Sequence, residues 1–492
     1  ANALDASALR ITRHLYDGLT AYAPGSTQVA PALATNWETT DGITWTFTLR
    51  PDAQFSDGSP VDAAAARLNF ERWWNAKPSG HYVFWTLMFG GFAGEAGPSG
   101  TPLSHLVSIT NTDAHTLQLV LAAPNAALPN TLAMPSFAIV NPRAFNQLNT
   151  RSAGSGPFVL ADSPAPDVIR LTRNPRYWGA PPLADELQFK IIPDATQRLL
   201  ALKSGEVEVV AAPPANVYGN VQADPQLRLV FDPPLNALYL GFNQARAPWN
   251  ILACRQAVAA AVDVARYVRA YFPGDAAVAG SVIPPEVWGA APTTATLAFD
   301  PSAAHRYWQT CVTTAGITPA ITAPLALTLY IPPLARDYAP DPNALGQALA
   351  ADLSRTLTLS VQIAAPEWNT WRQEVQSGNA DLFLLGWSGV NGDPDSFWCG
   401  PLCGADAAFN SDAEGHPLPP DAELAEILAR ARATLDPDVR RALYAQAQQR
   451  LATTLPLLPL AHRSHAWVFA AQVQGYVPSP IESVFTELSF SK

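Results

Sequence analysis

Leu384-Leu-Gly-Trp-Ser-Gly-Val-Asn-Gly-Asp-Pro-Asp-Ser-Phe-Trp398 is the stretch on which the reading of this 492-residue chain turns. It continues the apolar run Leu382-Phe-Leu-Leu385, which has the length and composition of a buried strand, and passes into a glycine-rich loop. The pair Asp393-Pro394-Asp395 in that loop reads as turn chemistry before it reads as a catalytic dyad.

Outward from the loop, strands and helices alternate. Residues 37–49 predict two strands around the Asp41-Gly42 turn, with Ile43, Trp45, Phe47 and Leu49 on one face and threonines on the other. Asp62 stands where it would cap an alanine-rich helix carrying Leu68, Phe70, Trp73 and Trp74. Further strands are expected at 116–121, 168–172 and 187–192. A capped helix over 194–205 precedes a strand at 207–210, and a strand at 238–243 precedes one helix over 253–271. Such alternation marks an α/β protein. Two amphipathic helices follow near the end, with Leu424, Ile427 and Leu428 as the stripe of the first and Val439, Leu443 and Leu451 in that of the second. The pattern does not place the aromatic run His81-Tyr-Val-Phe-Trp-Thr86; in a strand, Phe84 and Trp85 would point to opposite faces, one toward a cleft and the other into a core.

A chain of this length buries enough surface for two or three lobes. Hydrophobic residues make up 48% and the mean hydropathy is +0.03, values of a globular protein and not of a disordered one. The net charge of −11 is spread along the sequence without a basic block, which argues against nucleic acid and against an anionic membrane surface as partners. No apolar run is long enough for a membrane helix. Four cysteines, Cys254, Cys311, Cys399 and Cys403, fit one or two disulfides in an oxidising compartment, or buried free thiols. Cys399 and Cys403 share a short loop with a proline between them, where their Cα atoms come within reach of a bridge. Their spacing is not that of a redox or zinc pair.

Motifs of catalysis are missing from the sequence. There is no G-x-S-x-G elbow, H-E-x-x-H or phosphate-binding P-loop. Gly154-Ser155-Gly156-Pro157 precedes a strand, so it offers phosphate no helix N-terminus and reads as a tight turn. His462 and His465 would point to different faces of a strand, against a shared metal. Neither an enzyme, a metal site nor a cofactor is expected.

The opening stretch resembles the ligand-site loop of dipeptide-binding proteins of ABC importers, in the peptide/nickel-binding family of bacterial solute-binding proteins. The resemblance extends along nearly the whole chain. Pro31-Ala-Leu-Ala-Thr-Asn-Trp37 is similar to the family's P-x-L-A-x-x-W, and Trp45-Thr-Phe-Thr-Leu-Arg-Pro51 with Phe55-Ser-Asp-Gly58 to its next hairpin. Gly154-Ser-Gly-Pro-Phe158, Asn174-Pro-Arg-Tyr-Trp-Gly179, Tyr239-Leu-Gly-Phe-Asn243, Arg255-Gln-Ala257 and Ile283-Pro-Pro with Trp288-Gly289 follow in the family's order.

The resemblance implies a periplasmic-binding-protein fold of type II in its large three-part form: two α/β lobes, a hinge and an inserted subdomain. The first lobe would span 1–237 and return at 463–492, the insert about 30–150 and the second lobe 238–462. The crossings would fall near Tyr239-Leu-Gly-Phe and Leu458-Pro-Leu-Ala-His. The family opens with a strand ahead of the helix that 9–22 resembles, so residues ahead of Ala1 are expected. A monomeric receptor is implied, periplasmic or anchored at the cell surface after loss of a signal peptide. It would close on a small-molecule or peptide ligand in an interlobe cleft and then dock on ABC permease subunits.

Two positions carry the implied ligand chemistry. Arg336, in Pro332-Pro-Leu-Ala-Arg-Asp-Tyr338, falls near the place of the family's arginine for a peptide's C-terminal carboxylate, which a guanidinium grips with two parallel hydrogen bonds. Trp387, Ser388, Gly389, Val390, Asn391 and Asp393 are the site residues of the loop. Dipeptide binders carry at Val390 an aspartate for the ligand's α-amino group; valine cannot pair an ammonium, and burying one unpaired is costly. Asp393 or Asp395 stands close enough in sequence to supply the missing charge. A peptide or peptide-like carboxylate is the expected ligand. Chelated nickel, an opine or an oligosaccharide are alternatives that Val390 favours, and a hydrolase or sensor using the same cleft is a remote one. Cys254 and Cys311 fall on helices that neighbour each other in the family fold, which allows a second disulfide.

Overall fold

A computed structural model describes residues 6–77, 82–147, 153–291, 298–317, 324–399, 421–481 and 484–491. The chain forms two compact units, Ala1–Asp232 with Arg432–Leu435 and Ala466–Lys492, and Pro233–Ala431 with Asp436–His465. Its two main passages therefore lie at 232/233 and 465/466, a few residues outside the expected crossings. Those segments belong to the strands Asn236–Phe242 and Leu457–Arg463, which pair with each other inside the second unit. Every residue of Asn236–Phe242 is buried, as suits a central strand covered on both faces.

In the first unit the hairpin at 34–49 follows the sequence pattern. The Asp41 carboxylate accepts from the Ile43 and Thr44 amides, each at 2.8 Å, and Gly42 takes φ +69°. Trp45, Phe47 and Leu49 are buried. Their strand sits in an antiparallel four-stranded sheet ordered Ala34–Glu38, Thr44–Leu49, Thr116–Leu121, Leu106–Asn111. Asp62 caps the helix Ala63–Trp74 through the Ala65 amide at 2.7 Å.

One run that the pattern left unplaced is now assigned, and two expectations for this unit need correction. The aromatic run is a helix, Val83–Phe89, not a strand, and Trp85 stacks on Phe89 at 4.4 Å, a contact that four-residue helical spacing provides; His81 lies outside the described residues. The N-terminal helix spans Ala6–Leu15 and does not reach residue 22; a Cβ on Gly18 would fall 2.5 Å from the Leu132 carbonyl oxygen, so the chain there is pressed against its neighbour. Gly154 and Gly156 take no left-handed φ. A Cβ on either would sit 2.0 or 2.6 Å from the Leu15 backbone, so they serve close approach to the helix end instead of a turn.

Buried His14 fastens that helix to the C-terminal segment. Its Nδ1 donates to the Arg10 carbonyl at 2.8 Å, and its Nε2 accepts from the Phe485 amide at 2.9 Å. Burial holds it neutral, with its pKa lowered to about 4.

The second unit is built on a six-stranded mixed sheet ordered Ala276–Val278, Leu457–Arg463, Asn236–Phe242, Leu382–Ser388, Leu325–Tyr330, Leu359–Ala364. The helix expected over 253–271 is two, Leu252–Ala261 and Val264–Tyr271. Val262 turns extended, and the Asp263 side chain caps the second helix at the Arg266 amide, 3.0 Å away. A disulfide joins Cys254 to Cys311 on the helix Pro301–Ala315. Cys403 lies outside the described residues, and so does the proposed bridge from Cys399. In the helix Pro437–Thr454 the buried face is Arg440, Leu443, Tyr444, Ala447, Gln448 and Leu451, while Val439 is exposed. Leu443 and Leu451 of the expected stripe are thus on the buried face and only Val439 is not, the buried position beside it being taken by an arginine. Among the described residues no helix is long and apolar enough to cross a membrane, and no three His, Cys, Asp or Glu residues gather as a metal site.

Candidate ligand-binding site

The loop quoted at the outset leaves the strand Leu382–Ser388, which pairs along its whole length with Asn236–Phe242. The Gly389 amide extends this pairing to the Leu235 carbonyl at 2.8 Å. A Cβ on Gly389 would lie 2.2 Å from the Phe397 ring, so glycine lets the loop fold back on itself. The Asn391 side chain then accepts from the Asp393 amide at 3.1 Å, and Asp393 Oδ1 from the Asp395 amide at 2.9 Å. These side-chain-to-backbone bonds are the turn chemistry of the Asn-Gly-Asp-Pro-Asp sequence.

Arg440 holds the loop from below. Its two terminal nitrogens donate to the two Asp393 oxygens at 2.8 and 2.7 Å, its Nε to the Ala431 carbonyl at 3.0 Å, and one nitrogen also to the Tyr444 hydroxyl at 3.0 Å. Side-chain exposure is 5% for Arg440 and 0% for Asp393. Burial works against the guanidinium charge, but the Asp393 carboxylate outweighs it and raises the arginine's pKa. Asp393, expected at the ligand, is thus engaged inside the protein and has no free charge to offer there. Trp387 also faces inward: its Nε1 donates to the Ser396 carbonyl at 2.6 Å and its ring packs on the hydrophobic cluster around Tyr239 and Phe383. Of the expected loop residues, Ser388 is exposed, Val390 half-buried, and Gly389 and Asn391 buried.

Arg336 comes to the same end of the sheet. Its amide and carbonyl exchange hydrogen bonds of 2.9 Å with Ala339, which closes a tight turn. The ring of Tyr338 lies on Gly386 of the loop's strand, where a Cβ would be 2.3 Å from it. Burial pushes the Tyr338 hydroxyl up to about 12. The Arg336 guanidinium carbon lies 4.1 Å from the centroid of the Trp368 ring. Its Nε is buried without a hydrogen-bond partner, and among the described residues no carboxylate pairs with it. A half-buried guanidinium with open donors can receive an anion.

Sequence reasoning missed Arg440, Trp368 and Tyr338. Tyr338 stands two residues from Arg336, and nothing local in the sequence gives it a role. Arg440 precedes Tyr444 by one helical turn, the sole local hint of its burial. For the histidine pair, His462 is buried, with Nδ1 2.7 Å from the Asn236 carbonyl and its pKa lowered by burial to about 4, whereas His465 is exposed on the next strand.

The family model for bacterial extracellular solute-binding proteins, family 5 Middle, matches residues 28–408. The chain belongs to this family, and its mixed α/β architecture is the family's periplasmic-binding-protein fold. The dipeptide-binding protein of Escherichia coli strain K12 is 29% identical over 95% of this chain and 87% of its own. Heme-binding protein A of Haemophilus influenzae is 27% identical over 95% and 85%. The solved structure of HbpA2 from Haemophilus parasuis superposes with a TM-score of 0.86 at 25% identity, covering 100% of this chain and 96% of that one.

Proposed function

We propose that this chain is the extracytoplasmic receptor of an ABC importer and that it captures a peptide or peptide-like carboxylate. The observation that carries the ligand class is Arg336, a half-buried guanidinium with no carboxylate partner among the described residues, in the turn whose Tyr338 sits on Gly386 of the strand that leads into the loop. The peptide-binding relatives support the same class. Capture works by hinge closure, with the ligand favouring the closed form by the difference in its affinity for the two states. The receptor is a periplasmic or surface-anchored monomer without catalytic activity, and ABC permease subunits are its partners. Calorimetry on wild type and Arg336→Ala, with N-acetylated dipeptides as the probe, tests the ligand class. The variant should lose roughly 3–5 kcal/mol of binding, because a carboxylate is left without its partner. Unchanged affinity would refute it.

Val390 favours a second reading within the same function. With valine on the loop and Asp393 engaged by Arg440, neither residue offers an ammonium a partner. A ligand with a blocked, absent or displaced amine, such as an opine or a metal chelate, fits that loop better than a zwitterionic dipeptide does.

A further inference from the structure

We propose that Trp368 is the positioning residue that orients the Arg336 guanidinium and so sets the receptor's preference for a carboxylate over a neutral amide. This rests on Arg336 being a ligand contact, as above. The guanidinium is held from two ends. At its backbone, the Arg336–Ala339 turn and the seat of Tyr338 on Gly386 fix where the side chain starts. At its head, the cation lies over the Trp368 ring, 4.1 Å from the centroid.

Trp368 is itself anchored. It opens the helix Trp368–Gln376, whose start is capped by Glu367 accepting from the Asn369 amide at 2.9 Å. Its ring stacks on Trp371 at 5.1 Å with the planes 10° apart. Trp371 is 2% exposed and meets Phe383 edge-on at 6.4 Å, and Phe383 belongs to the strand that leads into the loop. A row of rings thus connects that strand to Arg336.

The choice of partner matters chemically. An internal carboxylate would also hold an arginine in place, but it would occupy the N–H donors a ligand carboxylate needs. A π face attracts the cation and leaves those donors open. The buried Nε without a hydrogen bond is consistent with such a reserve. A carboxylate takes two parallel N–H bonds, which demands a fixed guanidinium plane, whereas a neutral amide offers one oxygen and no charge. Loosening the plane should therefore weaken the acid more than the amide.

The test compares binding of a pool of N-acetylated dipeptides with free carboxylates and the matching pool amidated at the C terminus. Calorimetry is run on wild type, Trp368→Phe, Trp368→Leu and Arg336→Ala, with the melting temperature of each reporting its folding. The wild type should prefer the acid pool. Trp368→Leu should reduce that preference about tenfold, the order of a partly desolvated cation–π contact, and Trp368→Phe should retain most of it. An acid preference that survives in Trp368→Leu but is lost in Arg336→Ala overturns this inference and leaves the ligand reading standing. A preference that survives in Arg336→Ala, or equal or absent binding of both pools by the wild type, overturns both. Where Trp368→Leu does not fold, Trp368→Phe and Trp368→His carry the test: a preference graded with the ring's π character supports the role, and one identical to wild type in both refutes it.

Discussion

Replacing Arg440 by leucine removes four hydrogen bonds and leaves the Asp393 carboxylate in a site with no solvent exposure. Two effects add. The stranded carboxylate and the Ala431 carbonyl lose their donors, and the turn from Asn391 to Ser396 loses its fixed point. Breaking one side of a buried pair costs about 3–5 kcal/mol, whereas replacing both partners is often close to neutral. Arg440→Leu alone should therefore lower stability by about 4 kcal/mol. In Arg440→Leu/Asp393→Asn the residue at 393 keeps an acceptor for the Asp395 amide without carrying a charge, so much of the loss should return, with a coupling of about 2–3 kcal/mol. Urea unfolding of the four proteins in the cycle measures this, from the midpoints at constant slope. A single variant within about 1 kcal/mol of wild type, or two losses that simply add, would show that the pair does not hold the loop.

Three further outcomes are expected. Val390→Asp should strengthen binding of free zwitterionic dipeptides about tenfold or more, by providing a charged partner for the amine; tight binding by the wild type with no gain in the variant would refute that reading of the loop. His14 has a folded pKa of about 4, below the ordinary value of about 6.5, so the unfolded chain takes up the proton first. Its contribution is complete above pH 6.5 and is lost as pH falls toward 4, so between pH 7 and pH 4.5 wild type should lose about 2 kcal/mol more than His14→Gln in parallel denaturant titrations; equal slopes would contradict it. Thiol counting on denatured, unreduced protein should find no free thiols if Cys399 and Cys403 are bridged as well as Cys254 and Cys311; two free thiols would remove the first bridge, and four would remove both.

The sequence made some of these features visible and hid others for physical reasons. The Asp41-Gly42 hairpin and the caps at Asp62 and Asp194 depend on contacts a few residues apart, so local pattern reveals them. The loop at 384–398 was legible because glycine, asparagine and aspartate each have a turn role that the structure uses. Its charge assignment was not. Asp393 looks available in sequence, and only the fold brings Arg440, 47 residues away, against both of its oxygens. Trp368 escaped notice for the same reason, since an aromatic at a helix start looks like core until a cation from another segment is seen lying on it. Gly154 and Gly156 resemble turn glycines, but what they avoid is the backbone of Leu15.

Native mass spectrometry of the purified protein, titrated with the N-acetylated dipeptide pool, tests most directly whether this chain is a receptor for peptide-like carboxylates. The account predicts one-to-one complexes that dissociate on denaturation to release the acids chemically unchanged, and their loss in Arg336→Ala. Hydrolysed products, or a wild-type protein that carries only a metal chelate or a sugar and ignores the acids, would contradict it.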